Sequence, residues 1–511
     1  MEVGTVVSAV CFRWSIKEDA LPLVDTVTPD APTVDAPSGL LINGEWHETT
    51  RVITVVDPAT EWAVGRVADA STSDALRALD AASAAQEDWA ALSAFDRAKL
   101  FRLAEDNLVA QRDRIARAVV LESGKPLAQA EAEVDAAITY WRWNGSQIGH
   151  LHGQSAASSD GTFRVLTARK PVGPALLISP WNFPALTPLR KMSAALAAGC
   201  TIIVKSASLT PLTSAIMVET VEAAGFPPGV INLLHTSDSA GLTGALMADP
   251  RIRKVSFTGS TAVGVSLLHQ AATNVASSSM ELGGNGAFIV LRDADIPSTV
   301  QQAVAAKFRN SGQVCVAVNR FILEDDIADQ FIDEFVRQTA ALTVGHGLDP
   351  GIGMGPLITK AQRDRVVEWL ARSVAAGSRI LLGGNPLDRP GYFLEPTVIE
   401  ASGLDDPFAQ EEIFGPVAVM YRVGSSAEAI EFANRTPYGL AAYVFTADVG
   451  LGLTVAGALD SGVVGVNRVG VTEPAAPFGG VKASGLGREG GEGAILEFME
   501  EQYVALARAE I

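Results

Sequence analysis

The chain has 511 residues, 48% hydrophobic and 19% charged, a globular balance with length for two or three domains. Its 39 basic and 58 acidic side chains leave a net charge of −19, which argues against non-specific binding to nucleic acid or to an anionic membrane. No apolar stretch reaches the roughly 20 residues that a membrane-spanning helix needs.

Residues 1–37 carry Pro29, Pro32 and Pro37 among many Asp and Thr, and read as a loose extension. The apolar run 3–12 follows Glu2 rather than a basic cluster and makes a poor signal peptide, so a start downstream of Met1 is one account of this stretch. Globular character begins at Leu40-Leu41-Ile42-Asn43-Gly44-Glu45-Trp46, a strand closed by a turn. Residues 72–145 read as long helices, with Leu100, Ala104 and Leu108 on one face, and Ser123-Gly124-Lys125-Pro126 as a helix stop. From Pro171, apolar runs at 175–178, 201–204, 230–234 and 254–257 alternate with helical stretches near 188–198, 212–224 and 241–248. That alternation predicts a parallel sheet with crossover helices, which binds ligands at the carboxyl ends of its strands. A strand at 286–291 leads into a second region, with strands at 320–323 and 379–382 and helices at 327–342 and 361–376. A glycine-rich tail runs from Pro477 to Gly493.

Cys11, Cys200 and Cys315 are far apart and make no disulfide framework, which points to a reducing, cytoplasmic setting. The six histidines form no HExxH and no close cluster with cysteine, so no metal is expected. A lone cysteine most often packs as a small hydrophobe. Cys315, however, follows Asn310-Ser311-Gly312-Gln313-Val314, loop-forming residues that leave backbone N–H groups free for a developing oxyanion. Glu281, in Met280-Glu281-Leu282-Gly283-Gly284, is a carboxylate set among apolar residues and glycines. It is either a structural cap for the loop or a general base. Asn182, in Pro180-Trp181-Asn182-Phe183-Pro184, follows a strand and either forms an Asx turn or offers its amide to an oxyanion. Lys205 ends another strand, and Phe257-Thr258-Gly259-Ser260-Thr261, with Gly264 beyond, is a strand-to-helix turn that suits a pyrophosphate, although its spacing alone is weak.

Together these segments resemble the aldehyde dehydrogenase superfamily, from about residue 40 to the C-terminus. The matching segments come in order: 180–184, Lys205 before Thr210-Pro211, 225–232, 257–261, 281–284, the Cys315 loop, Glu411-Glu412-Ile413-Phe414-Gly415-Pro416, and Pro477-Phe478-Gly479-Gly480. The resemblance implies an α/β fold: a Rossmann-type cofactor domain (38–148 and 172–283), an α/β catalytic domain (284–483), and a small β oligomerisation extension (149–171 and 484–511). It implies that Cys315 attacks the aldehyde carbon while the Asn182 amide and the Cys315 N–H hold the oxyanion. Hydride passes to NAD or NADP, and Glu281 activates the water that hydrolyses the thioester. Lys205 would hold the adenosine ribose, Ser260 the pyrophosphate, and Glu412 with Phe414 the nicotinamide ribose. Trp181, Gly259, Gly264 and Leu282 would line the cofactor path. Many NAD-preferring members carry Glu three residues after the lysine; here Ser208 removes that repulsion, so NADP is expected to be accepted.

The likeness is strongest to succinate-semialdehyde dehydrogenases, in which arginines matching Arg190 and Arg309 hold the substrate carboxylate, a task suited to a planar fork. A serine that usually joins them is replaced in Val471-Thr472-Glu473-Pro474. Glu473 there would repel a carboxylate, whereas Thr472 would serve if the loop shifts by one. Val314 and Ala317 also depart from the pattern around the nucleophile. Another semialdehyde, or a neutral aliphatic or aromatic aldehyde, is the alternative substrate. Transfer to CoA and an inactive homologue with a binding or structural role are the alternative functions. Retention of Glu281, and of Cys315, Glu281 and Asn182 together, argues against both. The expected partners are a small-molecule aldehyde and copies of the chain, as a homodimer or homotetramer.

Overall fold

The computed structural model describes residues 32–507. The expected loose extension falls mostly outside these residues. Its end at 32–37 is packed: Val34 N–H donates to Val64 O at 2.8 Å, and Val34 and Ala36 pack on the core.

The amino-terminal helices are Thr72–Ala91, Ala94–Ala110, Arg112–Ser123 and Leu127–Gln147. Ser71 and Asp74 form a reciprocal capping box at the first, which satisfies two N–H groups that a helix start leaves open. Gly124, at φ +75°, ends the third in the left-handed conformation that a residue with Cβ resists.

The first sheet has eight strands in the order Glu45–His47, Leu40–Ile42, Ile231–Leu234, Ile202–Lys205, Ala175–Ile178, Lys254–Thr258, Ser277–Glu281 and Gly485–Leu486. The five from Ile231–Leu234 to Ser277–Glu281 are parallel. The first four of these are almost wholly buried, as helices on both faces require. Chain order reverses between Ala175–Ile178 and Lys254–Thr258, and ligands of doubly wound sheets bind outside the carboxyl ends at such a reversal. Asn182 and Gly259 emerge from these two ends.

The second sheet runs Arg379–Leu382, Thr397–Glu400, Val417–Val423, Val318–Glu324, Gly286–Val290, Ala441–Phe445 and Val463–Val466, all parallel except the first. Its two faces carry separate apolar clusters, one around Phe288, Phe321, Phe331 and Phe335, the other around Trp369, Phe408 and Tyr421. A third sheet pairs Met499–Ala507 with Phe163–Pro171 over nine residues, with Ser155–Ala157 on the far side. Gly485–Leu486, expected with this extension, pairs instead with Ser277–Glu281 in the first sheet. That contact brings the glycine-rich tail beside Glu281.

Candidate active site

The helix Ile296–Phe308 ends before Arg309, and the chain then reverses through three left-handed residues, Asn310 (φ 48°), Ser311 (φ 56°) and Gly312 (φ 73°). Two of them carry side chains, at a cost of roughly 1–2 kcal/mol each, so the turn persists only because its surroundings hold it. Asn310 N–H donates to Gln129 Oε1 at 2.8 Å, and Ser311 Oγ to Gly355 O at 2.8 Å. Gln313 ties both sides, with Nε2 donating to Asn310 O at 3.1 Å and Oε1 accepting from Ile358 N–H at 2.9 Å. A methyl group on Gly312 would fall 2.1 Å from Gly415 O. The turn delivers Cys315 half-buried, before the strand Val318–Glu324, with a backbone N–H that has no partner among the described residues. Burial pushes its thiol up to about 11; Arg190 and Arg309 pull it down, while Glu412 and Glu281 add to the rise.

Asn182 is 4% exposed, and its Nδ2 donates to Gln313 O at 3.0 Å, two residues before Cys315. The amide has a second N–H to give. Glu281 ends the strand Ser277–Glu281 and is 3% exposed. Burial raises its carboxyl well above the usual range; Glu489 adds to this, and Arg190, Lys191 and Arg488 oppose it. Its Oε2 has no hydrogen-bond partner among the described residues. The three predicted residues thus come together: the Cys315 thiol feels the charge of Glu281, and the Asn182 amide is bonded into the Cys315 loop.

The four predicted substrate residues differ in their surroundings. Arg309 is exposed, 5.5 Å from the Phe183 ring centroid. Arg190, expected to reach for a substrate, is buried and already ion-paired with Glu489. Its guanidinium stacks between Phe478 (4.8 Å) and Tyr140 (5.4 Å), and its Nε lacks a partner among the described residues. Thr472 is half-buried. Glu473 is exposed and turns back on its own backbone, accepting from Ala475 N–H at 3.3 Å.

Sequence reasoning missed Glu489, Lys191, Lys125 and Glu133, all buried and ion-paired around this centre. Glu489, in Gly487-Arg488-Glu489-Gly490, carries the same signal that marked Glu281, a carboxylate among glycines.

Of the predicted cofactor residues, Lys205, Ser208, Gly259 and Ser260 lie at or just beyond the carboxyl ends of first-sheet strands. Lys205 is 6% exposed at its strand end, with Nζ 3.3 Å from Ser206 O. Ser208 is half-buried in the turn beyond it. Ser260 precedes the helix Thr261–Asn274 without capping it, which leaves first-turn N–H groups for another acceptor. An anion with several oxygens suits that end. Gly264 packs on Leu282, whose Cδ2 would lie 2.4 Å from an added methyl. Glu412 accepts from Gly284 N–H at 3.2 Å, and burial pushes its carboxyl up to about 7. Phe414, at φ 51°, meets Trp181 edge-on with ring centroids 5.5 Å apart. An uncapped helix end, a buried lysine and an aromatic pair fit a dinucleotide. Among the described residues no group of three or more His, Cys, Asp or Glu side chains could hold a metal.

Residues 46–504 match the model of the aldehyde dehydrogenase family. The chain belongs to the aldehyde dehydrogenase family. A succinate-semialdehyde dehydrogenase of Paenarthrobacter nicotinovorans is 43% identical, over 86% of this chain and 98% of that one. An NADP-dependent succinate-semialdehyde dehydrogenase of Escherichia coli K12 is 38% identical, over 91% and 97%. The crystal structure of a succinate-semialdehyde dehydrogenase from Burkholderia pseudomallei superposes with a TM-score of 0.91 at 38% identity, covering 93% of this chain and 98% of that one. This aldehyde dehydrogenase is therefore an NAD(P)-dependent oxidoreductase. No helix among the described residues is long and apolar enough to cross a membrane.

Proposed function

We propose that this aldehyde dehydrogenase oxidises succinate semialdehyde to succinate through a thioester on Cys315. The observation that carries the reading is the 3.0 Å hydrogen bond from Asn182 Nδ2 to Gln313 O, which ties an amide donor into the loop of the half-buried cysteine. The Cys315 thiolate attacks the aldehyde carbon, and the new oxyanion accepts from the Asn182 amide and the Cys315 N–H. Losing one such donor typically costs about 3 kcal/mol of barrier. When bound, the nicotinamide supplies the hydride acceptor that turns the hemithioacetal into a thioester. Glu281 then takes a proton from water as it attacks the thioester, and the acid leaves. Lys205 and Ser208 hold the adenosine end, Ser260 and Gly259 the pyrophosphate, and Glu412 and Phe414 the nicotinamide ribose. Trp181, Gly264 and Leu282 shape the slot.

The carboxylate of the substrate is held by the exposed Arg309 and by the buried Nε of Arg190, which has no partner among the described residues. The named substrate of both relatives supports this choice. Residues 38–148 and 172–283 form the cofactor domain and 284–483 the catalytic domain. The Phe163–Pro171 and Met499–Ala507 sheet, with its exposed outer strand, joins subunits into a dimer or tetramer. A reducing cytoplasm suits the buried Cys200 thiol and the Cys315 nucleophile.

A panel of succinate, glutarate and neutral aldehydes, assayed by reduced-cofactor absorbance, tests the substrate. Succinate semialdehyde is expected to have the highest kcat/KM, and Arg309→Gln to raise its KM at least tenfold while leaving a neutral aldehyde unchanged. Equal rates for charged and neutral aldehydes, or an indifferent Arg309→Gln, would contradict it.

A further inference from the structure

The reading of Asn182 as the oxyanion donor leaves open what holds it in register with Cys315. The backbone carbonyl of Asn182 accepts two side-chain donors, Lys125 Nζ at 3.0 Å and Asn310 Nδ2 at 3.1 Å. The same Asn310 amide nitrogen also donates to Gln313 O at 3.2 Å, the oxygen that Asn182 Nδ2 itself meets at 3.0 Å. One carboxamide therefore ties the segment that carries the donor to the segment that carries the nucleophile. Asn310 can do so because it adopts the left-handed conformation at the start of the turn.

Lys125 reaches the other side of the same carbonyl. It is 2% exposed and forms an ion pair with Glu133, which is 4% exposed. Glu133 Oε1 in turn accepts from Ala185 N–H at 2.8 Å and Leu186 N–H at 3.2 Å, the start of the helix Leu186–Ala198. That helix start has no side-chain cap of its own. Lys125 Nζ also lies 4.1 Å from the Phe183 ring centroid. A single buried ion pair thus touches positions 182, 183, 185 and 186. Such pairs contribute little net stability, because desolvation offsets most of their attraction. Fixing the Asn182 peptide fixes where its side chain leaves the backbone.

The geometry points to Lys125 and Asn310 as positioning residues, which hold the Asn182 peptide so that its amide and the Cys315 N–H converge on one oxyanion. This rests on the oxyanion role of Asn182, and the experiment separates the two. The hydride step is measured as the pre-steady-state rate of reduced-cofactor formation in four proteins: wild type, Asn182→Ala, the pair Lys125→Met with Glu133→Gln, and all three together. The Gln keeps an oxygen for the helix start while the Lys donor is lost. The pair is expected to slow the hydride step by about tenfold to a hundredfold, the scale of a small misplacement, with cofactor Kd and the alkylation rate of Cys315 unchanged. In the Asn182→Ala background the pair should change nothing further. An equal loss in both backgrounds, or no loss in the wild-type background, overturns the proposal. An Asn182→Ala protein with the wild-type rate overturns the oxyanion role, and the proposal with it. If the Lys125 pair does not fold, Asn310→Gly, which tolerates the left-handed turn and removes the shared donor, carries the same prediction in the same two backgrounds.

Discussion

At the scale of single residues, burial disfavours the charged, reactive forms of two site groups, Cys315 and Glu281. Burial pushes the Cys315 thiol up to about 11 and lifts Glu281 well above the usual carboxylate range. Thiolate is the reactive form, and well below a raised pKa its fraction grows tenfold for each pH unit. Alkylation of Cys315 in the cofactor-free protein should therefore speed up about tenfold per unit from pH 7 to 9. A rate already level at pH 7 would mean a preformed thiolate and would contradict this. Cys315, Glu281 and Asn182 stand out in the sequence because each breaks its local pattern: polar loop formers before a cysteine, a carboxylate before two glycines, an amide between prolines. Lys125, Lys191 and Glu133 do not. Each lies in a helix or beside a helix stop where a charge reads as solvated surface, and only the packing of distant segments buries it. Arg190 reads as a free cation for the same reason, because its partner Glu489 is 299 residues away in sequence, 489 − 190.

At the scale of elements, the alternation of apolar strands and helices predicts four strands of the first sheet, each end within one residue of the observed one. The strand Ser277–Glu281 escaped, because Ser277, Ser278 and Ser279 look like a loop. Its serines work as polar links instead: Ser279 Oγ donates to Glu497 Oε2 at 2.8 Å and accepts from Lys254 Nζ at 2.6 Å. The strand's parallel place beside Lys254–Thr258 is what carries Glu281 to the site. Cofactor choice belongs to this scale, since the proposed adenosine site includes the turn after Ile202–Lys205. In that proposal Ser208 puts a small neutral hydroxyl where a carboxylate would repel a 2′-phosphate. NADP should therefore be used with a kcat/KM at least comparable to that of NAD. A preference for NAD beyond about a hundredfold, roughly 2.7 kcal/mol, would contradict that expectation.

At the scale of the whole molecule, the third sheet stands apart from the two larger ones and exposes its outer strand. Tyr503, Val504 and Leu506 on Met499–Ala507 are 56%, 42% and 50% exposed, an apolar edge that a neighbouring chain would cover. If this edge joins the proposed dimer or tetramer, cutting the chain after Phe498 should give smaller species in light scattering. An unchanged mass would place the interface elsewhere. The family resemblance implies such an extension at 149–171 and 484–511, but Gly485–Leu486 turns back into the first sheet. Two-residue strands carry no periodicity to read. The central claim, a covalent acyl group on Cys315, is tested most directly by trapping it. Mass spectrometry of a Glu281→Gln protein quenched after mixing with NADP and succinate semialdehyde should find a succinyl thioester on the Cys315 peptide, after one burst of reduced cofactor. A full burst with Cys315 unmodified, or steady turnover by Cys315→Ser, would contradict the account.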